Sequence, residues 1–332
     1  MHFLHHPVCR PIVGAISTSQ TQEHVMRHLT HLNYIDIVAR EGSIRKAADR
    51  LAITSTALNR RILALEDEVG SPLFERLPTG VRLNTAGELF IQHIRSQMTD
   101  LSRVLSQISD LSGIRRGHVK VSAASEVINH FLPSQIGLYR AEHPAVSFEV
   151  MRHNADEALS ALSQYDADLA LICAPVLPQD IQINLTVSQP LMAIMHHTHP
   201  LASSSHLQLE QLQAYPVIMP ETKTGIRAHI DVTQLRKAAH LVQMITSDDY
   251  AFIADYLRHE QAVSFQIPIG LSNHYAQMPS DGLVGVPLEG ADISPVLVHL
   301  VSLKGRTLPV AAAKFNDMLV QTLNSHYPDD AH

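Results

Sequence analysis

Between residues 54 and 70 an amide and a guanidinium stand side by side, Asn59 and Arg60, with two hydroxyls, Ser55 and Thr56, just ahead of them. On a helix whose Leu58, Ile62 and Leu65 turn inward, these four residues and Leu63 share the opposite face. Short polar side chains near a helix N-terminus suit the floor of a DNA major groove, where an amide pairs with adenine and a guanidinium with guanine. Arg45 upstream, and Arg76 and Arg82 downstream, are better placed for phosphate oxygens, contacts that hold register without reading sequence. A lone arginine is ordinarily a solvated surface charge, so this chemistry depends on the elements that carry it.

Those elements are legible from apolar spacing. Leu29, Leu32, Ile35 and Val38 recur at helical intervals, and Gly42 fits the residue after a helix end. Ser43 is a natural N-cap for a short helix with Ile44, Ala47, Ala48 and Leu51 on one face. After a turn at Ala52-Ile53, Thr54 caps the next helix, in which Leu58, Ile62, Leu65 and Val69 face inward until Gly70 ends it. Three short helices with a tight turn between the second and third form a helix-turn-helix. Leu73-Phe74 read as an apolar anchor, Pro78-Thr79-Gly80 as a turn, and Val81-Arg82-Leu83 as a strand, which together make a wing. Thr85 with Glu88 reads as a capping box that launches a long helix. Along it Ile94, Met98, Leu101, Leu105, Ile108 and Leu111 form a near-heptad seam, suited to a twin helix or to packing within its own domain. The wing before it, and Gly113 and Gly117 after it, favour a linker.

From residue 118 the pattern alternates. Strand-like runs at 118–124, 146–151 and 167–174 are separated by helical stretches at 126–140 and 156–164, and similar alternation continues to a last helix over 310–323. This predicts an α/β domain of two lobes behind an all-α N-terminal domain. The expected organisation is a winged helix-turn-helix over 26–85, a dimerising linker helix over 86–113 and an effector-binding domain over 118–325. Within that domain, lobe I takes 118–190 plus 291–325 and lobe II takes 191–290. Residues 1–25 read as an extension, either disordered or upstream of a natural start at Met26, with a docked arm as the alternative.

Composition narrows the function classes. Net charge is −7 over 332 residues, but residues 26–95 hold 10 Lys and Arg against 8 Asp and Glu, whereas residues 96–332 hold 14 against 23. The net-basic stretch is therefore the one that carries the helix-turn-helix pattern. No apolar run is long enough to span a bilayer, so no membrane partner is expected. Cys9 and Cys173 have no CxxC or CxxH partner, which fits a reducing cytoplasm. GxSxG, HExxH, a P-loop and a GxGxxG after a strand are all missing, so no catalytic residue, enzyme activity or cofactor is expected. The run His196-His197-Thr198-His199 lacks Cys or carboxylate partners at ligand spacing and reads as structural or surface histidine, not as a metal site.

Residues 41–88 closely resemble the N-terminal domain of LysR-type transcriptional regulators. The matching positions are Gly42-Ser43, Ala47-Ala48, Leu51, Ala57-Leu58, Ile62, Leu65-Glu66, Gly70, Leu73-Phe74-Glu75-Arg76, Leu83 and Ala86-Gly87. Weaker likeness continues through Phe131-Leu132-Pro133, His143-Pro144, Asp168-Leu169-Ala170 and His199-Pro200-Leu201-Ala202. The resemblance implies a homodimer or homotetramer, double-stranded promoter or operator DNA as partner, and a periplasmic-binding-protein-like domain that takes a small-molecule effector. Where the family's recognition helix usually opens with a glutamine-containing motif, this chain has Thr54-Ser55-Thr56, and Asn59 could restore the adenine contact. Thr79 stands where the wing often carries a basic residue.

By the same resemblance the effector sits between the lobes, which nominates Ser125 and Glu126, Thr222 and Thr224, and Ser247-Asp248 as the cap of another helix. Relatives often place Thr or Ser where Glu126 stands and bind organic anions there. A carboxylate at that spot would repel an anion and favour a sugar, an amine or another hydroxylated ligand; alternatively, Glu126 only caps its helix. The competing reading of the whole chain is a ligand-binding protein or enzyme on a periplasmic-binding-protein-like fold.

Overall fold

A computed structural model describes residues 27–111, 117–237, 240–271, 282–290 and 293–327. The proposed extension over residues 1–25, and Gly113, lie outside them. The chain divides into two compact units at Met98/Thr99.

In the first unit, α1 (Arg27–Glu41), α2 (Ile44–Arg50) and α3 (Ser55–Val69) enclose Ile35, Val38, Ala47, Ala48, Leu58 and Ile62. Ser43 Oγ accepts from Lys46 N and Thr54 Oγ1 from Ala57 N, so α2 and α3 start at side-chain caps, and Gly70 ends α3 in the left-handed region at φ 75°. Val69, expected inside, is 39% exposed, because the helix is already leaving the core at its last turn. The wing is a hairpin of β1 (Phe74–Leu77) and β2 (Gly80–Leu83), with Glu75 opposite Arg82. It docks through Val81 N onto Gly42 O at 2.9 Å. That approach requires glycine at position 80, where φ is +147° and a Cβ would stand 2.2 Å from Gly42 O.

The long helix α4 (Thr85–Leu111) is launched by Asn84, whose Oδ1 accepts from Gly87 N at 2.8 Å. The expected Thr85–Glu88 capping box is thus displaced by one residue: Thr85 is already the first helical residue, so the cap falls to Asn84. Ile91 and Ile94 are buried in the first unit's core and Met98 packs against it. The expected seam therefore divides: its first turns complete the winged helix, while Leu105 and Ile108 are 49% and 53% exposed.

In the second unit, β3 (Gly117–Ala123), β4 (Val146–Arg152), β5 (Leu169–Cys173), β6 (Ile181–Gln189) and β12 (Val296–Leu303) form one sheet in the order β4-β3-β5-β12-β6. β3 is parallel to β4 and β5, whereas β12 runs antiparallel to β5 and β6. β5 is buried at every residue, as its continuous apolar run requires. α6 (Phe131–Glu142) and α10 (Val310–His326) cover one face around Phe315, Leu319 and Tyr139, and α7 (Ala155–Ser163) covers the other. The expected helix over 126–140 is broken at Asn129-His130 into one turn, α5 (Ser125–Ile128), and α6. Between β6 and β12 the chain builds a second lobe. There β7 (Met192–His196) lies between antiparallel β10 (Ser264–Gln266) and β11 (Leu283–Pro287), and β8 (Pro216–Met219) pairs in parallel with β9 (Val242–Thr246). Helices α8 (Gly225–Lys237) and α9 (Tyr250–Tyr256) belong to this lobe. Among the described residues no helix is long and apolar enough to cross a membrane.

Candidate nucleic-acid interface and ligand cleft

Leu58 and Ile62, four residues apart, commit one side of α3 to the core and turn the other to solvent. Ser55, Thr56, Arg60 and Leu63 are exposed, and Asn59 is half-buried at the margin of that face. Arg76 reaches from the wing to α3, its Nη2 donating to Asn59 Oδ1 at 2.8 Å. The amide oxygen of Asn59 is thus occupied, and the NH2 group remains to donate. Arg82 meets Glu75 across the wing at 2.7 Å. Both side chains are well exposed, so this pair contributes about 1 kcal/mol at most and a phosphate can replace the carboxylate. Arg45 and Arg60 are exposed with no ion-pair partner among the described residues.

Two carboxylates outside the nominated set position this surface. Glu66 Oε1 accepts from Leu73 N at 2.7 Å and Phe74 N at 3.1 Å, fastening the start of the wing to the end of α3. Asp36 accepts from Arg40 Nε at 2.7 Å and from buried Arg95 Nε at 2.6 Å, tying α1 to α4. Glu66 had a signal, its place in the Leu65-Glu66 pair of the family pattern. Asp36 and Arg95 are 59 residues apart and have no local signature.

Between the lobes of the second unit lies a cavity of about 340 Å3. Among the described residues its lining has two cations, Arg152 and Lys223, against four carboxylates, Glu126, Glu157, Glu221 and Asp248, an acidic excess of two. Glu126, on α5 at the end of β3, is 4% exposed. Its Oε1 accepts from Ile226 N, in the first turn of α8, at 3.2 Å, and its Oε2 from Ser125 Oγ at 3.1 Å. Glu126 therefore does cap a helix, but one in the other lobe and not its own. The start of α8 can pack this closely on β5 because position 225 is glycine: a Cβ would stand 2.3 Å from Cys173 Cβ and 2.5 Å from Cys173 O. Burial, and secondarily the Glu126 charge, push the Cys173 thiol pKa up.

Of the other nominated residues, Ser125, Thr224 and Asp248 line the cavity, whereas Thr222 and Ser247 do not. Thr224 Oγ1 accepts from Arg227 N at 3.2 Å, as an N-cap of α8 would. Thr222 is exposed and donates to Glu221 Oε1 at 2.9 Å. Hydrogen bonds from Lys223 N and Thr222 lower the Glu221 pKa. The cap of α9 is Asp249, whose Oδ1 accepts from Ala251 N and Phe252 N, and not Ser247-Asp248. Asp248 instead crosses the cleft to Arg152 at 3.5 Å, a pair the sequence reading missed. In the histidine run, His196 Nδ1 lies 2.8 Å from Thr198 Oγ1 and His197 Nδ1 lies 3.1 Å from Gly282 O, while His199 Nδ1 accepts from Leu201 N. Among the described residues no group of three His, Cys, Asp or Glu side chains could hold a metal ion.

Comparison with known proteins agrees with this architecture. Residues 29–88 match the model of the bacterial regulatory helix-turn-helix protein, lysR family, and residues 112–324 match the LysR substrate binding domain. The chain is 26% identical over 288 residues to the HTH-type transcriptional activator CmpR of Synechocystis sp., covering 85% of this chain and 91% of that protein. A cysteine-to-aspartate variant of full-length OxyR from Pseudomonas aeruginosa shares the fold with a TM-score of 0.65 at 18% identity, over 89% of this chain and 95% of the other. Full-length CbnR complexed with its target DNA does so with a TM-score of 0.57 at 17% identity, over 89% and 99%. A winged helix-turn-helix followed by a two-lobed substrate-binding domain, matched by both family models over nearly its whole length, places this chain in the LysR family of transcriptional regulators.

Proposed function

We propose that this regulator reads duplex DNA with α3 and the wing, and that a small polar molecule held between the lobes of its second unit controls it. The exposed polar face of α3 beside the wing supports the first half. Arg60 and the NH2 group of Asn59 address base edges, Arg76 sets the Asn59 amide through its hydrogen bond, and Arg45 and Arg82 hold phosphates. Ser55 and Thr56 lie nearest the helix N-terminus and approach the backbone or the groove floor. Two chains pairing through the exposed part of α4 would present two such helices to half-sites one or more DNA turns apart. The cytoplasm is the matching compartment.

The observation that carries the second half is Glu126 seated on the N-terminus of α8. Helix N-termini favour anions, and here the protein supplies its own. With an acidic excess in the surrounding cavity, the effector class is a neutral polyol or sugar, or a cation, and a small hydrophilic anion is disfavoured. Such a ligand shifts the lobe arrangement only by its differential affinity for the two states. An electrophoretic shift of the DNA upstream of the protein's own gene tests the DNA reading. A specific shift weakened by Arg60→Ala is expected, and equal retardation of random DNA refutes sequence reading. A thermal-shift panel of sugars, amines and hydrophilic carboxylates tests the ligand class. The strongest stabilisation by a hydrophilic carboxylate refutes it.

A further inference from the structure

A second cavity, of about 300 Å3, adjoins the cleft, and Cys173 and Gly225 are the two residues common to both linings. Its character is the opposite of the cleft's. The walls are apolar, made by Ala228 and Val232 of α8 together with Pro175, after β5, and Pro295, Val296 and Leu297 around the start of β12. Among the described residues no carboxylate lines it, and the one cation is Arg236 on the last turns of α8. Arg236 is exposed and has no hydrogen-bond or ion-pair partner among the described residues. The lining also contains His229, whose Nε2 is buried with no hydrogen-bond partner. Burial lowers the His229 pKa, partly offset by the Ser294 backbone and reinforced by the Arg236 charge, so among the described lining residues the guanidinium is the charged group. The adjacent Thr233 hydroxyl is already engaged, donating to His229 O at 2.9 Å.

A small apolar chamber with a guanidinium that is unpaired among the described residues has a definite complement. We infer that this rear cavity binds a small amphipathic monoanion, an aromatic or short aliphatic carboxylate. Its apolar body packs on Val232, Pro295 and Leu297, and its charge pairs with Arg236. The residues that would touch this ligand, Arg236, Val232, Pro295 and Leu297, do not line the cleft. An occupant wedged between α8 and the start of β12 nevertheless braces the Cys173–Gly225 contact on which the cleft's α8 terminus rests.

Phenylacetate and hexanoate, titrated by calorimetry into the full-length protein at up to millimolar concentration, are the probes. Saturable binding of both is expected. Arg236→Gln should weaken it at least about tenfold, the loss of one charge-assisted contact. Val232→Trp should abolish binding by filling the chamber from a position that is 47% exposed and so tolerates a larger side chain. Arg152→Gln, in the cleft, should leave both affinities unchanged. Three outcomes each overturn the inference: no saturable binding to the unmodified protein, an unchanged affinity in either Arg236→Gln or Val232→Trp, or a loss in Arg152→Gln that places the anions in the cleft.

Discussion

Replacing Glu126 with threonine removes the carboxylate that the protein itself places at the N-terminus of α8. The side chain is 4% exposed and bonds Ile226 N at 3.2 Å, so water does little to screen it. A hydrogen bond to a charged group contributes about 1.5–3 kcal/mol, and the helix dipole adds about 0.3–1 kcal/mol. Threonine is too short to reach across the cleft, so the apo protein should lose about 2 kcal/mol. For a unit spanning residues 99–332 that corresponds to a fall of roughly 4–8 °C in its melting temperature. A ligand carboxylate that takes the vacated position recovers a comparable contribution, roughly ten- to a hundredfold in affinity. Succinate is a suitable probe, because it is too hydrophilic for the apolar rear cavity. Calorimetry on the full-length proteins should show Glu126→Thr binding succinate at least about tenfold more tightly than the unmodified protein. Equal succinate affinities together with an unchanged melting temperature would refute the reasoning, since Glu126 would then contribute nothing at α8.

Asn59→Ala should cost about 1–3 kcal/mol on the operator and much less on random DNA. Because Arg76 holds the same amide, Asn59→Ala and Arg76→Ala should be non-additive in a double-mutant cycle measured by fluorescence anisotropy. Arg82→Ala should weaken specific and random DNA alike and flatten the salt slope by about one unit; an unchanged slope removes it from the phosphate contacts. Leu101→Lys with Leu105→Lys should abolish dimerisation and operator binding while the second unit stays folded, because charges in a buried seam cost several kcal/mol. An unaltered dimer in sedimentation would show that α4 is not the seam. Burial depresses the pKa of His199, His229 and His299, so each is neutral in the folded state at pH 7. Their unfolded forms protonate first as pH falls. Stability is therefore full above the unfolded value of about 6.5 and declines below it as pH approaches the lower folded values. Thermal midpoints that stay flat between about pH 7.5 and pH 5.5 contradict this.

What the sequence by itself determined is the set of features whose partners lie within a few residues. The caps at Ser43 and Thr54 and the reversal at Gly70 are i-to-i+3 or single-residue events, so composition and spacing reveal them. The inward side of α3 follows from a four-residue interval, and the all-buried β5 from an unbroken apolar run. Even local signals blurred where adjacent residues compete for one role, as Asn84 did with Thr85 and Asp249 with Ser247-Asp248. β6, β9 and β11 carry no such unbroken run, because exposed and half-buried residues interrupt their apolar pattern. Only the tertiary structure decided the rest. Glu126 meets Ile226 across 100 residues, Asp36 meets Arg95 across 59, and Arg76 reaches Asn59 from a separate hairpin. Each contact depends on which strand lies beside which, and that order was not written in any local window. β12 returns from the far side of the second lobe to lie between β5 and β6, and this crossover places the start of β12 against α8 to enclose the rear cavity. Hydrogen bonds and ion pairs act over a few ångströms in space, whereas residue spacing reports distance along the chain. The two coincide within a helical turn and part company wherever the chain folds back on itself.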